Sequence, residues 1–586
     1  MIVPVRARTQ QVIEPLMRCA PNLKGETAVA DVEIDFDVPV PMRDGTILRA
    51  DVYRPAGPGP WPVLLQRIPY GKRSPIVSLP LDTLLAVSRG YIVVHQDTRG
   101  RFASDGEWSP WTYEQSDGHD TVRWAAKLPG SSGVVGMFGV SYTGNTSWSA
   151  AVDGPPELRA IAPQNTWSDP NDGLFMRGGA IELGLNAWWT LFTGLGELPK
   201  RLAGVELLQA LGGLIADFDG LAERTYWELP AGRLPLIDRY GGPDIGTQRA
   251  LEDPDSSGFA RVAGRHDAVT APSLNVSGWY DVFLQGALDN HVAMADSGVP
   301  TKLVVGPWSH VLSEFPSPIG ELNFGLASSP ALIGGQYSLT DLETRWFDHW
   351  LREHDTGLMD EPPVKIFVMG ANTWRDENEW PPARAVDTPW YLRADEALSL
   401  HAPGTDEQSD TYVYDPADPV LTRGGNLVMA TDFPAGPFDQ AAIEQRSDVL
   451  VYTSEPLAQD VEVTGRIRAT LFAATDAPST DWVVRLCDVD AQGISRNITD
   501  GILRINAEPG TVGEYEIDLW STSNLFRAGH RIRIQVTSSN FPRWDRNPNT
   551  GESPQTATTL RSAQQRIFHD GSRASHIVLP VIPATA

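Results

Sequence analysis

A serine at a predicted strand-to-helix turn is the first feature of the sequence that could do chemistry. Residues 139–144 read Gly-Val-Ser-Tyr-Thr-Gly, after the apolar run 134–138 and before a segment of small residues, 145–151. This context is typical of a nucleophile elbow, in which the hydroxyl of Ser141 stands above a sheet edge at a helix N-terminus. Because threonine occupies position 143, the pattern G-x-S-x-G is not met strictly, and a serine that only caps a helix is the alternative.

An acid and a base that suit this serine follow later in the chain. A serine hydroxyl is a poor nucleophile until a neighbouring base takes its proton, and histidine titrates near neutrality. In α/β-hydrolases the chain order is serine, acid, histidine. Asp281 and His310 come in that order, each directly after an apolar run that predicts a buried strand. We therefore predict a Ser141–His310–Asp281 triad; the alternative is that His310 is a loop histidine bonded to a backbone carbonyl.

Two others of the chain's 11 histidines compete with His310 for the role of base. His291 follows an Asp-Asn pair, which favours a position on the surface of a helix. His349 lies within the aromatic segment 346–351 and is interpreted as a packing residue. Chain order and position after a strand favour His310 over both.

Acyl transfer also needs hydrogen-bond donors for the oxygen that becomes negative. The backbone N–H of the residue after the nucleophile normally supplies one of them, which is Tyr142 here. The second donor is expected from the loop after an early strand, residues 67–72, where the phenolic hydroxyl of Tyr70 is chemically adequate. The residues alone leave a second interpretation open, in which Tyr70 simply packs beside Pro69.

The elements that must position these residues form an α/β pattern with an interruption. Short apolar runs bounded by turn residues alternate with helix-like segments, as in a parallel sheet covered on both faces. These runs are residues 62–65, 91–94, 134–138, 160–162, 274–276 and 302–305. We predict an α/β-hydrolase domain in two parts, 1–170 and 266–387, with a helical cap inserted at 171–265.

The last third of the chain has a different character. Segments such as 460–471, 482–489 and 530–536 alternate or are rich in β-branched residues, and turn residues separate them. Their spacing is typical of a β-sandwich. We therefore predict an all-β domain over 388–586.

Composition excludes several classes of function. The formal net charge of −27 argues against nucleic acid and anionic membranes as partners. No stretch reaches about 18 consecutive apolar residues, so no membrane span is expected. The N-terminus lacks the apolar region of a signal peptide, and Cys19 and Cys487 match no metal-ligand spacing. A cytoplasmic location is predicted, with a single disulfide between the two cysteines left open.

Several motifs taken together resemble one family, the X-Pro dipeptidyl-peptidase superfamily. Within it, the chain is most similar to the CocE/NonD hydrolases, the branch of the bacterial cocaine esterases. The motifs are Arg-Ile-Pro-Tyr at 67–70, Asp-Thr-Arg-Gly at 97–100, Ser-Asp-Gly at 104–106, the serine motif at 139–144, Gly-Trp-Tyr-Asp at 278–281, Gly-Pro-Trp-Ser-His at 306–310 and the segment 536–544. The resemblance runs from about residue 30 to near the end of the chain.

This resemblance implies a three-part architecture: an α/β-hydrolase domain, an inserted helical cap and a C-terminal jelly-roll sandwich. It implies that the Tyr70 hydroxyl contributes to the oxyanion hole beside the Tyr142 N–H. It implies no metal and no organic cofactor.

The substrate pocket is expected to be apolar. The α-amino-acid ester hydrolases resemble this fold and hold a substrate ammonium with carboxylates, some of them just after the triad aspartate. The residues that follow Asp281 here are apolar, which argues against an ammonium site and against a dipeptidyl-peptidase. Candidates to line an apolar acyl site are Phe175, Trp188, Trp189 and Trp227 in the cap, with Phe283 beside Asp281. Core packing is the alternative for each cap residue.

The expected function is hydrolysis of a small-molecule carboxylic ester through an acyl-enzyme. An amidase, an acylase or an X-Pro dipeptidyl-peptidase with the same triad is the first alternative. A non-enzymatic binding protein, whose sandwich recognises a carbohydrate or a partner, is the remote one. A homodimer through the cap or the sandwich edges is left open.

Overall fold

The computed structural model describes residues 32–78, 80–253, 260–310 and 318–583, and the described residues up to Glu377 build an α/β-hydrolase domain with a cap. The strands of this part are β1 (Val32–Pro41), β2 (Ile47–Pro55), β3 (Trp61–Ile68), β4 (Ile92–Asp97), β5 (Ser131–Val140), β6 (Leu158–Gln164), β7 (Met176–Arg177), β8 (Ala180–Ile181), β9 (Ser273–Tyr280), β10 (Thr301–Ser309), β11 (Val364–Val368) and β12 (Thr373–Glu377). The helices are α1 (Thr83–Ser88), α2 (Glu114–Ala125), α3 (Tyr142–Asp153), α4 (Leu183–Arg201), α5 (Gly204–Asp219), α6 (Pro235–Tyr240), α7 (Thr247–Glu252), α8 (Leu284–Asp296) and α9 (Leu339–Arg352).

Ten of these strands form one sheet in the order β1-β2-β4-β3-β5-β6-β9-β10-β11-β12. The seven strands from β4 to β11 in that order are parallel, and β1, β2 and β12 add antiparallel edges. Apolar clusters cover both faces of the sheet, which is why its strands are near-continuous apolar runs. Because the carboxyl ends of parallel strands meet at one edge, β5, β9 and β10 bring their following residues together there.

The predicted helical cap contains the hairpin β7–β8 and helices α4 to α7. Its longest helix, α4, is held against the hydrolase domain by buried polar contacts. Arg101, which follows β4, donates to Glu197 Oε2 at 3.0 Å and to the Thr193 carbonyl at 3.2 Å. Lys200 Nζ donates to the Gly100 carbonyl at 2.8 Å. These contacts fix the helix that carries Trp188 and Trp189.

The C-terminal domain is a jelly-roll sandwich of almost entirely antiparallel strands. They are β13 (Val386–Arg393), β14 (Ala397–Ser399), β15 (Asp410–Tyr414), β16 (Leu450–Thr453), β17 (Val461–Thr475), β18 (Ser479–Val489), β19 (Ser495–Asn506), β20 (Gly513–Phe526), β21 (Arg531–Thr537), β22 (Ala563–Asp570), β23 (Arg573–Ala574) and β24 (His576–Ile582), with a short helix α10 (Ala441–Glu444). Alternating inward residues such as Trp482, Leu486 and Ile534 form its core. This alternation in sequence is what predicted the domain.

The fold class agrees with the sequence prediction, and the element bounds add detail. The first sandwich strand begins at Val386, just before the boundary predicted at residue 388. Residues 1–31 of the predicted first part, with Cys19, lie outside the described residues. Cys487 is a free, buried thiol in β18. Over the described ranges, every helix is too short or too polar to cross a membrane.

Candidate active site

Ser141 sits on a sharp turn between β5 and α3 in a backbone conformation that side chains rarely adopt. Its φ of 61° and ψ of −124° lie outside the usual regions, and such strain costs on the order of 1–3 kcal/mol. Gly139 has a φ of 156°, and a Cβ there would lie 2.3 Å from Thr143 Oγ1. The turn therefore requires glycine before the serine, while Thr143 uses its hydroxyl to donate to the Val140 carbonyl at 2.8 Å.

The second glycine of the motif stands one place later than in the usual pattern because of how α3 packs. A Cβ on Gly144 would lie 3.0 Å from both the Gln164 carbonyl oxygen and Thr166 Cβ. The helix approaches the end of β6 closely at this position. Gly144 thus permits the close packing, and the residue at position 143 is free to carry a side chain.

His310 and Asp281 form a hydrogen-bonded pair at the same sheet edge. His310 Nδ1 lies 2.7 Å from Asp281 Oδ2, and the carboxylate is completely buried while the imidazole stays 14% exposed. Asp281 Oδ1 accepts the Phe283 backbone N–H at 2.7 Å, which fixes the carboxylate. The Phe283 ring meets the imidazole edge-on, with centroids 5.4 Å apart. Since Asp281 holds Nδ1, the other ring nitrogen, Nε2, is the one that can take a proton from Ser141.

Tyr70 places its hydroxyl next to Ser141. Trp189 Nε1 donates to the Tyr70 oxygen at 2.8 Å, and Tyr70 lines the same two cavities as Ser141. Burial raises the pKa of Tyr70 above its usual range, so the hydroxyl keeps its proton at neutral pH. Tyr142 is the first residue of α3, so its N–H has no acceptor within the helix. Both predicted oxyanion donors therefore lie beside the serine.

Two cavities meet at Ser141. The larger, about 210 Å³, has Ser141, His310 and Tyr70 in its lining together with Trp188 and Trp189. The smaller, about 20 Å³, is lined by Ser141, Tyr70, Tyr142, Trp189 and Phe283 among others. The structure thus brings the three predicted triad residues, both oxyanion candidates and three of the five candidate pocket aromatics to one place.

Phe175 and His291 are corrections to the sequence analysis. Phe175 is fully buried in the cap and lines neither cavity. Its ring packs so closely on Gly246 that a Cβ at position 246 would lie 2.4 Å from the ring. It was misassigned because an aromatic residue needed for core packing has the same local pattern as one that lines a pocket. His291 is buried rather than on the surface of α8, and burial lowers its pKa to about 4.

Two other residues considered in the sequence analysis have packing roles. The Trp227 ring packs against the Phe541 ring of the sandwich, with ring centroids 4.6 Å apart. His349 meets Trp350 edge-on, with ring centroids 4.8 Å apart, as its interpretation as a packing residue expects.

Sequence reasoning missed several lining residues. In the larger cavity they are Ile76, Val140, Thr143, Gln164, Leu185, Phe192 and Val428. In the smaller one they are Trp111, Trp167, Leu174 and Leu185. Gln164 ends the parallel strand β6, so strand position would have indicated it. Val428 comes from the sandwich, and no local pattern marks it.

Comparison with known proteins agrees with this geometry. A family model for X-Pro dipeptidyl-peptidase (S15 family) matches residues 44–312, and one for the X-Pro dipeptidyl-peptidase C-terminal non-catalytic domain matches 356–578. A cocaine esterase from Rhodococcus sp. (strain MB1 Bresler) is 38% identical over 582 residues, covering 93% of this chain and 98% of that protein. The chain belongs to the X-Pro dipeptidyl-peptidase (S15) family. The resemblance stated from sequence motifs is confirmed, and as an S15 member the chain is a serine hydrolase.

Two solved structures share the architecture over almost the whole chain. An aminopeptidase from a marine sediment Thaumarchaeota archaeon superposes with a TM-score of 0.77 at 26% identity, covering 96% of this chain and 98% of that one. An α-amino acid ester hydrolase gives a TM-score of 0.77 at 25% identity, covering 96% and 99%. The hydrolase domain, cap and sandwich of this S15-family chain are therefore arranged as in these enzymes.

Proposed function

We propose that this S15-family chain is a serine esterase that cleaves carboxylic esters through an acyl-enzyme. The observation that carries the proposal is His310, bonded to the buried Asp281 carboxylate, in the lining of the same cavity as Ser141 on its strained turn. A base oriented by a buried acid next to a serine at a helix N-terminus is the arrangement that acyl transfer requires.

The proposed reaction has two steps of the same kind. Ser141 Oγ attacks the ester carbonyl carbon while its proton passes to His310 Nε2, and the carbonyl oxygen becomes an oxyanion. The Tyr70 hydroxyl and the Tyr142 N–H donate to this oxyanion. The carbon–oxygen bond to the alcohol breaks, and His310 gives its proton to the departing oxygen. Water then attacks the acyl-enzyme, His310 takes its proton and returns it to Ser141, and a carboxylic acid is released.

The linings favour an ester over a peptide with a free N-terminus. A substrate ammonium needs a carboxylate partner, and among the described residues that line the two cavities none is Asp or Glu. Val282, Phe283 and Leu284, which follow Asp281, are buried apolar residues. The relative that is 38% identical is named an esterase, in line with this choice.

The first test is hydrolysis of p-nitrophenyl acetate by the wild type and by Ser141→Ala. Triad members act as a unit, so we expect turnover to fall by on the order of 10⁶-fold in the variant. Ser147→Ala is the matched control, since Ser147 lies on α3 and only donates to the Thr143 carbonyl at 3.1 Å. A fluorophosphonate probe should label the wild type and the control but not Ser141→Ala. Near-normal hydrolysis by Ser141→Ala would refute the assignment.

A matching anilide, assayed in parallel, separates esterase from amidase. If the anilide is hydrolysed as fast as the ester, with the same dependence on Ser141, the amidase alternative replaces this proposal.

The cytoplasmic location and the homodimer stay predictions. Cell fractionation with an antibody and light scattering of the purified chain test them.

A further inference from the structure

Ser141 lies between two cavities of very different size. The larger holds about 210 Å³ and the smaller about 20 Å³. Both are lined by Tyr70, Leu185 and Trp189 as well as by the serine, so they are two sides of one site. An ester has two substituents at its reacting group, the acyl chain and the alcohol. The two cavities are therefore candidates for these two substituents.

The position of His310 decides which substituent goes where. The alcohol oxygen must take its proton from the histidine, so the leaving group must lie on the histidine's side of the serine. His310 lines the larger cavity and is not among the residues that line the smaller one. Tyr142, whose N–H faces the oxyanion, lines only the smaller cavity. The alcohol consequently belongs to the larger cavity and the acyl chain to the smaller one.

The smaller cavity has room for little more than a methyl group. A space of about 10–15 Å³ by this measure admits one water molecule, and this cavity is only slightly larger. Its aromatic walls are fixed by hydrogen bonds. The indole N–H of Trp111 donates to the Ile245 carbonyl at 2.8 Å, and that of Trp167 donates to the Ala260 carbonyl at 3.1 Å.

These walls also support one another. Trp111 stacks on Tyr142 with ring centroids 4.0 Å apart and meets Trp167 edge-on at 4.9 Å. Trp167 in turn meets Phe283 at 5.0 Å. Moving one ring to admit a longer acyl chain would disturb a close-packed cluster, which is costly. The small size is thus a property of the whole cluster.

The larger cavity has a volume of about 210 Å³ and an apolar wall that includes flat aromatic rings. Trp188 and Phe192 stack with ring centroids 5.5 Å apart and planes 3° from parallel. Ile76 and Val428 complete the apolar surroundings. A planar or alicyclic apolar group fits such a wall better than a short alkyl group does.

We propose that the substrates are acetyl-sized esters of bulky, apolar alcohols. This inference rests on the proposed esterase function and adds the substrate class to it. Bulk on the acyl side is excluded by the Trp111–Trp167 cluster, whereas bulk on the alcohol side is bound by the Trp188–Phe192 wall.

Two substrate series test the proposal on the wild type. With 1-naphthol as a fixed alcohol, kcat/KM should fall by about 100-fold from the acetate to the hexanoate or the benzoate, since misfitting methylenes in a tight pocket discriminate by this order. With acetate as a fixed acyl group, kcat/KM should be higher for cyclohexylmethyl acetate than for ethyl acetate, two alkyl esters whose alcohols are comparable leaving groups. A benzoate or hexanoate that is the best substrate overturns the proposal.

Matched variants assign the two cavities. Leu174→Ala enlarges the smaller cavity and should raise the hexanoate-to-acetate ratio of kcat/KM by about 10-fold. Phe192→Ala, on the other side, should leave this ratio unchanged and reduce the preference for cyclohexylmethyl acetate over ethyl acetate. The reverse pattern overturns the assignment. If ester hydrolysis depends on Ser141 but kcat/KM does not fall with acyl size, only this inference is refuted. If the protein neither hydrolyses esters nor reacts with the fluorophosphonate probe, the esterase function itself is refuted.

Discussion

At the scale of single residues, the Tyr70 hydroxyl has the most sharply defined role. It accepts a hydrogen bond from the indole N–H of Trp189, which fixes its oxygen in the lining that it shares with Ser141, and its own proton is left to donate. Because the pKa of Tyr70 is raised by burial, the group remains a donor across the neutral range. A donor that is fixed in advance stabilises a developing negative charge without reorganisation.

Replacement of Tyr70 by Phe should therefore lower kcat for p-nitrophenyl acetate by about 10²–10³-fold with little change in KM. The loss falls on kcat because the hydrogen bond matters most when the oxyanion has formed. Trp189→Phe, which removes the N–H that orients Tyr70 together with part of a ring that lines both cavities, should lower kcat by less than Tyr70→Phe does. Steady-state kinetics of the three proteins measure both parameters. A kcat for Tyr70→Phe equal to that of the wild type would exclude Tyr70 from the oxyanion site.

At the scale of elements, buried polar pairs hold helices against the sheet at the active site. On one face, α9 carries Glu343, whose Oε1 accepts the Gln164 side-chain N–H at 2.6 Å at the end of β6. On the cap side, α4 carries Glu197, which pairs with Arg101. Both pairs lie next to cavity-lining residues, so they position the pocket as well as stabilising the fold.

Glu343 gives a prediction about pH and stability. Burial raises the pKa of Glu343 well above its ordinary value of 4.5, so the folded protein retains a proton that the unfolded chain releases. Stability therefore falls as pH rises above that value. Between about pH 5 and pH 8, Glu343→Gln should lose stability less steeply than the wild type. Urea unfolding at several pH values measures the slopes, with the exposed Glu353→Gln as control; parallel slopes for wild type and Glu343→Gln would contradict the prediction.

The Arg101–Glu197 pair gives a prediction about the cap. Both side chains are almost completely buried, so Arg101→Ala removes the buried partner of the Glu197 carboxylate and should cost about 3–5 kcal/mol of unfolding free energy. Arg201→Ala removes the other partner of the same Glu197, but Arg201 is 38% exposed, and its loss should cost less than about 1 kcal/mol. Denaturant unfolding compares the two variants. An equal loss of unfolding free energy in the two variants would contradict the prediction that the buried Arg101 contributes more than the exposed Arg201.

At the scale of the whole molecule, the sandwich is part of the active site rather than an attached module. It supplies Val428 to the larger cavity, and its Asn426 side chain donates to the Trp279 carbonyl, two residues before Asp281. The Arg177 guanidinium of the cap lies 3.7 Å from the centroid of the Trp520 ring. The three parts of the chain consequently share one buried junction.

A chain that ends at residue 385 should therefore not yield an active hydrolase. Removal of the sandwich exposes apolar and charged groups of the cap and the sheet that are now buried, a condition that favours aggregation. We expect strong binding of a hydrophobic dye, no cooperative thermal transition and no ester hydrolysis from the purified fragment. A fragment that unfolds cooperatively and retains the activity of the full chain would show that the sandwich is dispensable.

The sequence by itself determined the class of the fold and the identity of the chemical groups. Apolar periodicity reflects local burial, so the strands and helices can be predicted along the chain. Ser141, Asp281 and His310 each follow a predicted parallel strand, and the carboxyl ends of such strands meet at one sheet edge, so the triad could be predicted as well. Only the tertiary structure decided the pocket. Phe175 and Trp189 look alike in sequence, yet one packs the cap and the other lines the site, while Trp111 and Val428 reach it from distant segments. Pocket size depends on how closely the hydrolase domain, the cap and the sandwich pack against one another, and local sequence patterns do not encode that distance.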